Sequence, residues 1–113
     1  MHKDVEFMNV FMPEDLKELY LTGRNRRYKN IRMNPVLYNG FLRAVEVMMA
    51  IDSVDKLRNY SFLHYEKLKH GYSGYSSVRL SNSYADRLIF TEKDDMIEIE
   101  LIEIDSTHYG NRK

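Results

Sequence analysis

The sequence predicts an α+β fold, with an N-terminal strand and two helices packed on one face of a small, mainly antiparallel sheet. Three observations carry this. Apolar residues recur at helical spacing up to about residue 51, alternation replaces that spacing from residue 61 onward, and the connections between the patterned segments are short. No repeat, low-complexity stretch or Pro/Gly-rich linker divides the chain, so its 113 residues are expected to form one domain, 1–113.

Val5, Phe7 and Val10 suggest the N-terminal strand. Pro13 followed by Glu14 and Asp15 opens a first helix, since acids suit the positive end of the helix dipole. Leu16, Leu19 and Tyr20 form its stripe and Gly23 its C-terminal cap, giving a helix over 13–22. Asn34 and Pro35 start the main helix, 35–51, with Leu37, Phe41, Ala44, Val45 and Met48 on one stripe. Met48 and Met49 both read as core residues. Gly40 within this helix costs about 1 kcal/mol against Ala, which close packing would offset. Strands are expected at 62–68, 76–80, 87–91 and 97–104. In the last, Ile97, Ile99 and Leu101 share a face while Ile102 and Ile104 fall on the other. The slip at Leu101–Ile102 calls for a bulge or for a strand covered on both sides. Glu98, Glu100 and Glu103 read as a solvent-facing strand edge.

The charges are partitioned although 17 Lys+Arg balance 17 Asp+Glu. Residues 1–23 carry 2 basic and 5 acidic side chains, residues 24–79 carry 11 and 4, and residues 80–113 carry 4 and 8. A basic middle of net +7 either is solvated surface or forms a face that attracts phosphate. Within it Arg24, Arg26, Arg27 and Lys29 surround Tyr28, with Arg32 close behind. This pattern of cations with an interleaved aromatic suits an RNA backbone, as an interhelix loop. Arg79 alternates with Val78 and Leu80 and so faces the solvent side of the sheet, either against RNA or idle. No Cys is present and no H-E-x-x-H spacing occurs, so disulfides, thiolate zinc sites and metal hydrolysis are poorly supported, and no metal or cofactor is expected. No apolar run approaches the ~20 residues needed to span a bilayer, and residues 1–6 lack a hydrophobic signal core, so a soluble cytoplasmic protein with no membrane partner is expected.

Five fragments, in order, resemble a known family. Leu16-Lys17-Glu18-Leu19-Tyr20-Leu21-Thr22-Gly23 with the basic stretch after it is similar to the opening of HigB-type plasmid maintenance killer toxins, of the RelE/ParE toxin superfamily. Leu63-His64-Tyr65-Glu66-Lys67-Leu68-Lys69, Ser76-Ser77-Val78-Arg79-Leu80, Arg87-Leu88-Ile89-Phe90 and Ile102-Glu103-Ile104-Asp105-Ser106-Thr107-His108-Tyr109-Gly110 resemble its later strands and tail. His70 stands where the family has glycine, and the 81–86 hairpin is two residues longer than usual.

The resemblance implies a type II toxin: a metal-independent endoribonuclease that cleaves ribosome-bound mRNA by attack of a ribose 2′-OH on the adjacent phosphate. Its implied partners are the ribosome, mRNA and a helix-turn-helix antitoxin of HigA type. ParE-like relatives on the same fold inhibit DNA gyrase instead, and an inactive interaction protein is a further alternative. Cleavage by an internal hydroxyl needs a base, cations on the phosphorane and an acid for the leaving oxygen. Arg87 aligns with the family arginine on the scissile phosphate, where a guanidinium fork suits phosphate oxygens. Lys69 matches the family lysine. His108 and Tyr109 match the catalytic tail, where an imidazole titrating near neutrality serves as acid or base. His64 is a further candidate on the "L-H" match.

Overall fold

The computed structural model describes residues 9–69, 74–92 and 98–106. Strand β1 is Asn9–Phe11; the expected strand residues Val5 and Phe7 lie outside the described residues. Helix α1 is Glu14–Thr22, with the carbonyl of Pro13 accepting the Lys17 N–H at 2.9 Å. It ends at Gly23, whose φ of 76° lets its N–H reach the Leu19 carbonyl at 2.9 Å. The basic segment is not wholly a loop, because Lys29–Arg32 forms a short helix, α2, with Ile31 buried.

Helix α3, Pro35–Ala50, begins as its sequence predicts. The Asn34 side chain accepts the N–H groups of Val36 and Leu37 at 3.1 and 3.4 Å. Leu37, Phe41, Ala44, Val45 and Met48 are buried along one stripe. Met49 corrects its expectation: one residue past Met48 is about 100° round the helix, and it is 38% exposed. Two 3-10 turns follow, Val54–Asn59 and Ser61–Leu63. The expected 62–68 strand shrinks to β2, Glu66–Lys67. The cause is local: Phe62 and Leu63 belong to the 3-10 turn, and His64 takes the left-handed conformation (φ 49°, ψ 51°), which breaks an extended run.

Strands β3 (Ser76–Arg79), β4 (Arg87–Glu92) and β5 (Glu98–Asp105) complete a sheet of order β1-β5-β4-β3-β2. All neighbours are antiparallel except β1 and β5, which are parallel. The acidic strand is therefore internal rather than an edge, flanked by β1 and β4. Its alternation slip is a bulge, since Ile89 pairs with Glu103 while Phe90 pairs with Leu101, leaving Ile102 over.

Register assigns the two faces. Val78, Leu88 and Ile104 form one row and Phe90 and Leu101 another, and all are buried in one cluster with Leu16, Leu19, Phe41 and Met48 of the helices. The intervening rows, Arg79–Arg87–Asp105 and Glu66–Ser77–Ile89–Glu103, lie on the opposite face.

Gly40 is where α3 comes nearest the sheet. A Cβ there would stand 1.9 Å from the Leu80 carbonyl oxygen, a backbone atom at the end of β3. The helix keeps a poor helix former because nothing larger fits. Gly40→Ala should therefore destabilise the fold by about 1–3 kcal/mol or more despite the better helix propensity of Ala. A urea midpoint equal to or above that of the parent would contradict this packing.

Candidate active site

The chain around β2 is placed by Tyr65. Its ring stacks on Phe90 with centroids 6.2 Å apart, and its hydroxyl donates to Glu92 Oε2 at 2.5 Å. Ser76 Oγ donates to the same oxygen at 2.8 Å, and the Arg58 guanidinium lies 4.8 Å from the Tyr65 ring centroid. With Tyr65 turned onto the core side, the next residue, Glu66, is delivered to the other face of the sheet, paired with Ser77.

Arg87, the first residue of β4, crosses this surface. Its Nη1 donates to Ser77 Oγ at 3.3 Å and lies 3.9 Å from Glu66 Oε2. Its side chain is 20% exposed, against 54% for Glu66, so the guanidinium is held low on the sheet with a more accessible carboxylate beside it. Arg79 pairs directly with Arg87 across β3 and β4 and is half-buried. Two guanidiniums, the Ser77 hydroxyl and the Glu66 carboxylate thus share one face with Asp105 and Glu103. Glu66 and Ser77 lie within the resembling fragments, where only the in–out alternation Tyr65–Glu66 marks Glu66 as facing away from the core.

Lys69 is exposed two residues beyond β2, where the Leu68 N–H still reaches the Tyr75 carbonyl at 2.8 Å. His64 Nε2 is 2.8 Å from Asn82 Oδ1 on the β3–β4 hairpin. His108 and Tyr109 lie outside the described residues. Among the described residues no group of three or more His, Asp or Glu could hold a metal ion.

The basic segment divides. Arg24, Arg26, Lys29 and Arg32 are exposed. Arg27 instead bridges α1 to β5, with Nη1 2.8 Å from Asp15 Oδ2 and Nη2 2.6 Å from Glu103 Oε1. The hydrogen bond to Asp15 holds its guanidinium above the ordinary value. Tyr28 is not a free stacking platform, being buried in the core with its hydroxyl oxygen accepting the Ile104 N–H at 3.3 Å. Burial pushes its hydroxyl pKa up. The reason for both is topological: β1 reaches along β5 only to Glu100, and Arg27 and Tyr28 cover the length of β5 beyond it.

Comparison with solved structures bears on this arrangement. The YoeB dimer from Staphylococcus aureus matches over 92% of this chain and 100% of its own, with a TM-score of 0.50 at 19% identity. The chain has a RelE-like fold. The heterotetrameric YoeB–YefM toxin–antitoxin complex from Staphylococcus aureus matches over the same shares with a TM-score of 0.47, also at 19% identity. No family model matches the sequence, and no curated protein does. Among the described residues of this RelE-like fold, no helix is long and apolar enough to cross a membrane.

The Tyr65 network has a pH signature. Burial, reinforced by the hydrogen bond to Glu92, pushes the Tyr65 hydroxyl from 10.0 to about 12. The folded chain keeps this proton after the unfolded chain has lost it, so stability is full below 10.0 and falls as pH rises towards about 12. Tyr65→Phe should reduce the slope of stability against pH in that window. An unchanged slope in urea titrations would show that the Tyr65 proton is not linked to folding.

Proposed function

We propose that the chain is the toxin of a type II toxin–antitoxin pair, acting as a ribosome-dependent mRNA endonuclease. The observation that carries this reading is the Arg87–Glu66 pair on the face opposite the helices, 3.9 Å apart. A guanidinium fork engages the non-bridging oxygens of the scissile phosphate, and the adjacent carboxylate takes the proton of the attacking 2′-OH. As the new O–P bond forms, the extra negative charge on the phosphorane draws most strongly on Arg87, with Arg79 and Lys69 adding positive potential. The bond to the 5′-oxygen then breaks, and that oxygen is protonated by His108 or Tyr109. The products are a 2′,3′-cyclic phosphate and a free 5′-hydroxyl. This sequence of steps uses no metal.

The exposed Arg24, Arg26, Lys29 and Arg32 contact ribosomal RNA, with Arg27 kept for the fold. The size of the chain also supports a ribosomal scaffold, because a shallow sheet face cannot by itself orient a flexible message. The sequence resemblance and the RelE-like fold both support an antitoxin as the partner that silences the site. They favour a HigA-type helix-turn-helix protein only as far as the HigB resemblance extends.

Arg87→Ala should lower mRNA cleavage at saturating ribosomes by roughly a hundred- to thousandfold. Arg87→Lys should recover only part, since an ammonium lacks the fork. Glu66→Gln should depress the rate while leaving ribosome affinity intact. Full cleavage by folded Arg87→Ala would remove this arginine from the reaction.

A further inference from the structure

A cleft between α3 and the β3–β4 hairpin, on the helix side of the sheet, has no part in the reaction above. Its volume is about 450 Å³, within the range of small-molecule sites. Its floor is the close approach of Gly40 to the Leu80 carbonyl, so the packing that fixes α3 also preforms the cleft. Val36 and Phe62 supply an apolar wall and are 51% and 36% exposed. The Arg43 guanidinium lies 5.3 Å from the Phe62 ring centroid and makes no ion pair among the described residues.

The hairpin side is polar. With Asn82 Oδ1 as the acceptor, the His64 imidazole donates from Nε2 at 2.8 Å, which fixes the amide and leaves its Nδ2 hydrogens for a ligand. His64 does this from a left-handed backbone (φ 49°), a conformation that costs a non-glycine residue and is kept where a side chain must be placed. Asn39 and Ser83 add an amide and a hydroxyl. Donors and one fixed positive charge thus stand beside an aromatic ring. No carboxylate lines the cleft, so a divalent cation is poorly matched. A wholly apolar ligand would strand the donors. A planar, acceptor-rich ligand carrying a negative group satisfies both sides.

We infer that this cleft binds a single unpaired nucleotide. Its base packs against Val36 and Phe62, its phosphate takes the guanidinium fork of Arg43, and the Asn39 and Asn82 amides meet the base edge. The inference goes beyond the nuclease reading and does not rest on it, because these side chains belong to neither of the sheet rows that carry Arg87 and Glu66.

The test titrates the full chain with adenosine 5′-monophosphate, adenosine and inorganic phosphate, and follows backbone amide shifts by NMR. The nucleotide should shift the amides of Val36, Asn39, Arg43, Phe62 and Asn82, and should bind roughly tenfold more tightly than either of its parts. Arg43→Gln should weaken the nucleotide by roughly tenfold or more and affect adenosine little. Phe62→Leu keeps an apolar side chain and should weaken nucleotide and adenosine alike, with phosphate unchanged. A nucleotide bound no more tightly than phosphate would overturn the proposal. Shifts confined to Arg24, Arg26, Lys29 and Arg32, or to Arg79 and Arg87, would overturn it too. Tighter binding of a Glu-Phe-Glu peptide at the same amides would assign the cleft to a protein partner instead. A parent protein that cleaves no mRNA but binds the nucleotide at these amides would retire the nuclease reading and keep this site.

Discussion

The close approach of Gly40 to the Leu80 carbonyl sets the geometry of the molecule. It lets α3 lie flat on one face of the sheet, where a side chain as small as a methyl would collide with backbone. That approach buries Phe41, Ala44, Val45 and Met48 against Val78, Leu88, Phe90 and Ile104. With the helices committed to this side, the opposite face carries Arg79, Arg87 and Glu66, beside Ser77, Ile89 and Asp105, which are buried. Side-chain alternation then does the rest: Leu88 and Phe90 turn inward while Arg87 turns outward in the same strand. Core and candidate site are two consequences of one strand pattern.

A second constraint acts along the margin of β5. Because β1 is short, part of an internal strand would have an open edge. Tyr28 satisfies its Ile104 N–H and Arg27 joins its Glu103 to Asp15. Near the same strand end, Ser106 is held by Asp86. The segment after α1 therefore has two duties, sealing the sheet and displaying the cations that do not seal it. The midchain excess of positive charge is accordingly not one uniform surface.

Helices and strands were legible because their signals are local. Asn34-Pro35 and Gly23 act within a turn of the residues they cap, and the slip at Leu101–Ile102 directly reports a bulge. The contacts that the sequence hid are long-range. Arg27 and Tyr28 resemble nucleic-acid ligands until the fold brings Glu103 and Ile104 to them, 76 positions away. Strand β2 was overdrawn because the left-handed turn at His64 leaves no signature in an apolar–polar run. Arg87 enters as a candidate only through its order among the resembling fragments. Glu66 was passed over because an exposed acid beside a lysine is ordinary in sequence, and only pairing across β2, β3 and β4 brings it to the arginine.

On the proposed function, this surface breaks RNA by internal hydroxyl attack on a ribosome-held message. The direct measurement is the chemistry of the ends produced when the purified protein is added to ribosomes programmed with a defined mRNA. The account predicts fragments bearing a 2′,3′-cyclic phosphate and a 5′-hydroxyl, formed only when ribosomes are present. Fragments ending in 3′-hydroxyl and 5′-phosphate, or an intact message alongside arrested DNA gyrase, would contradict it.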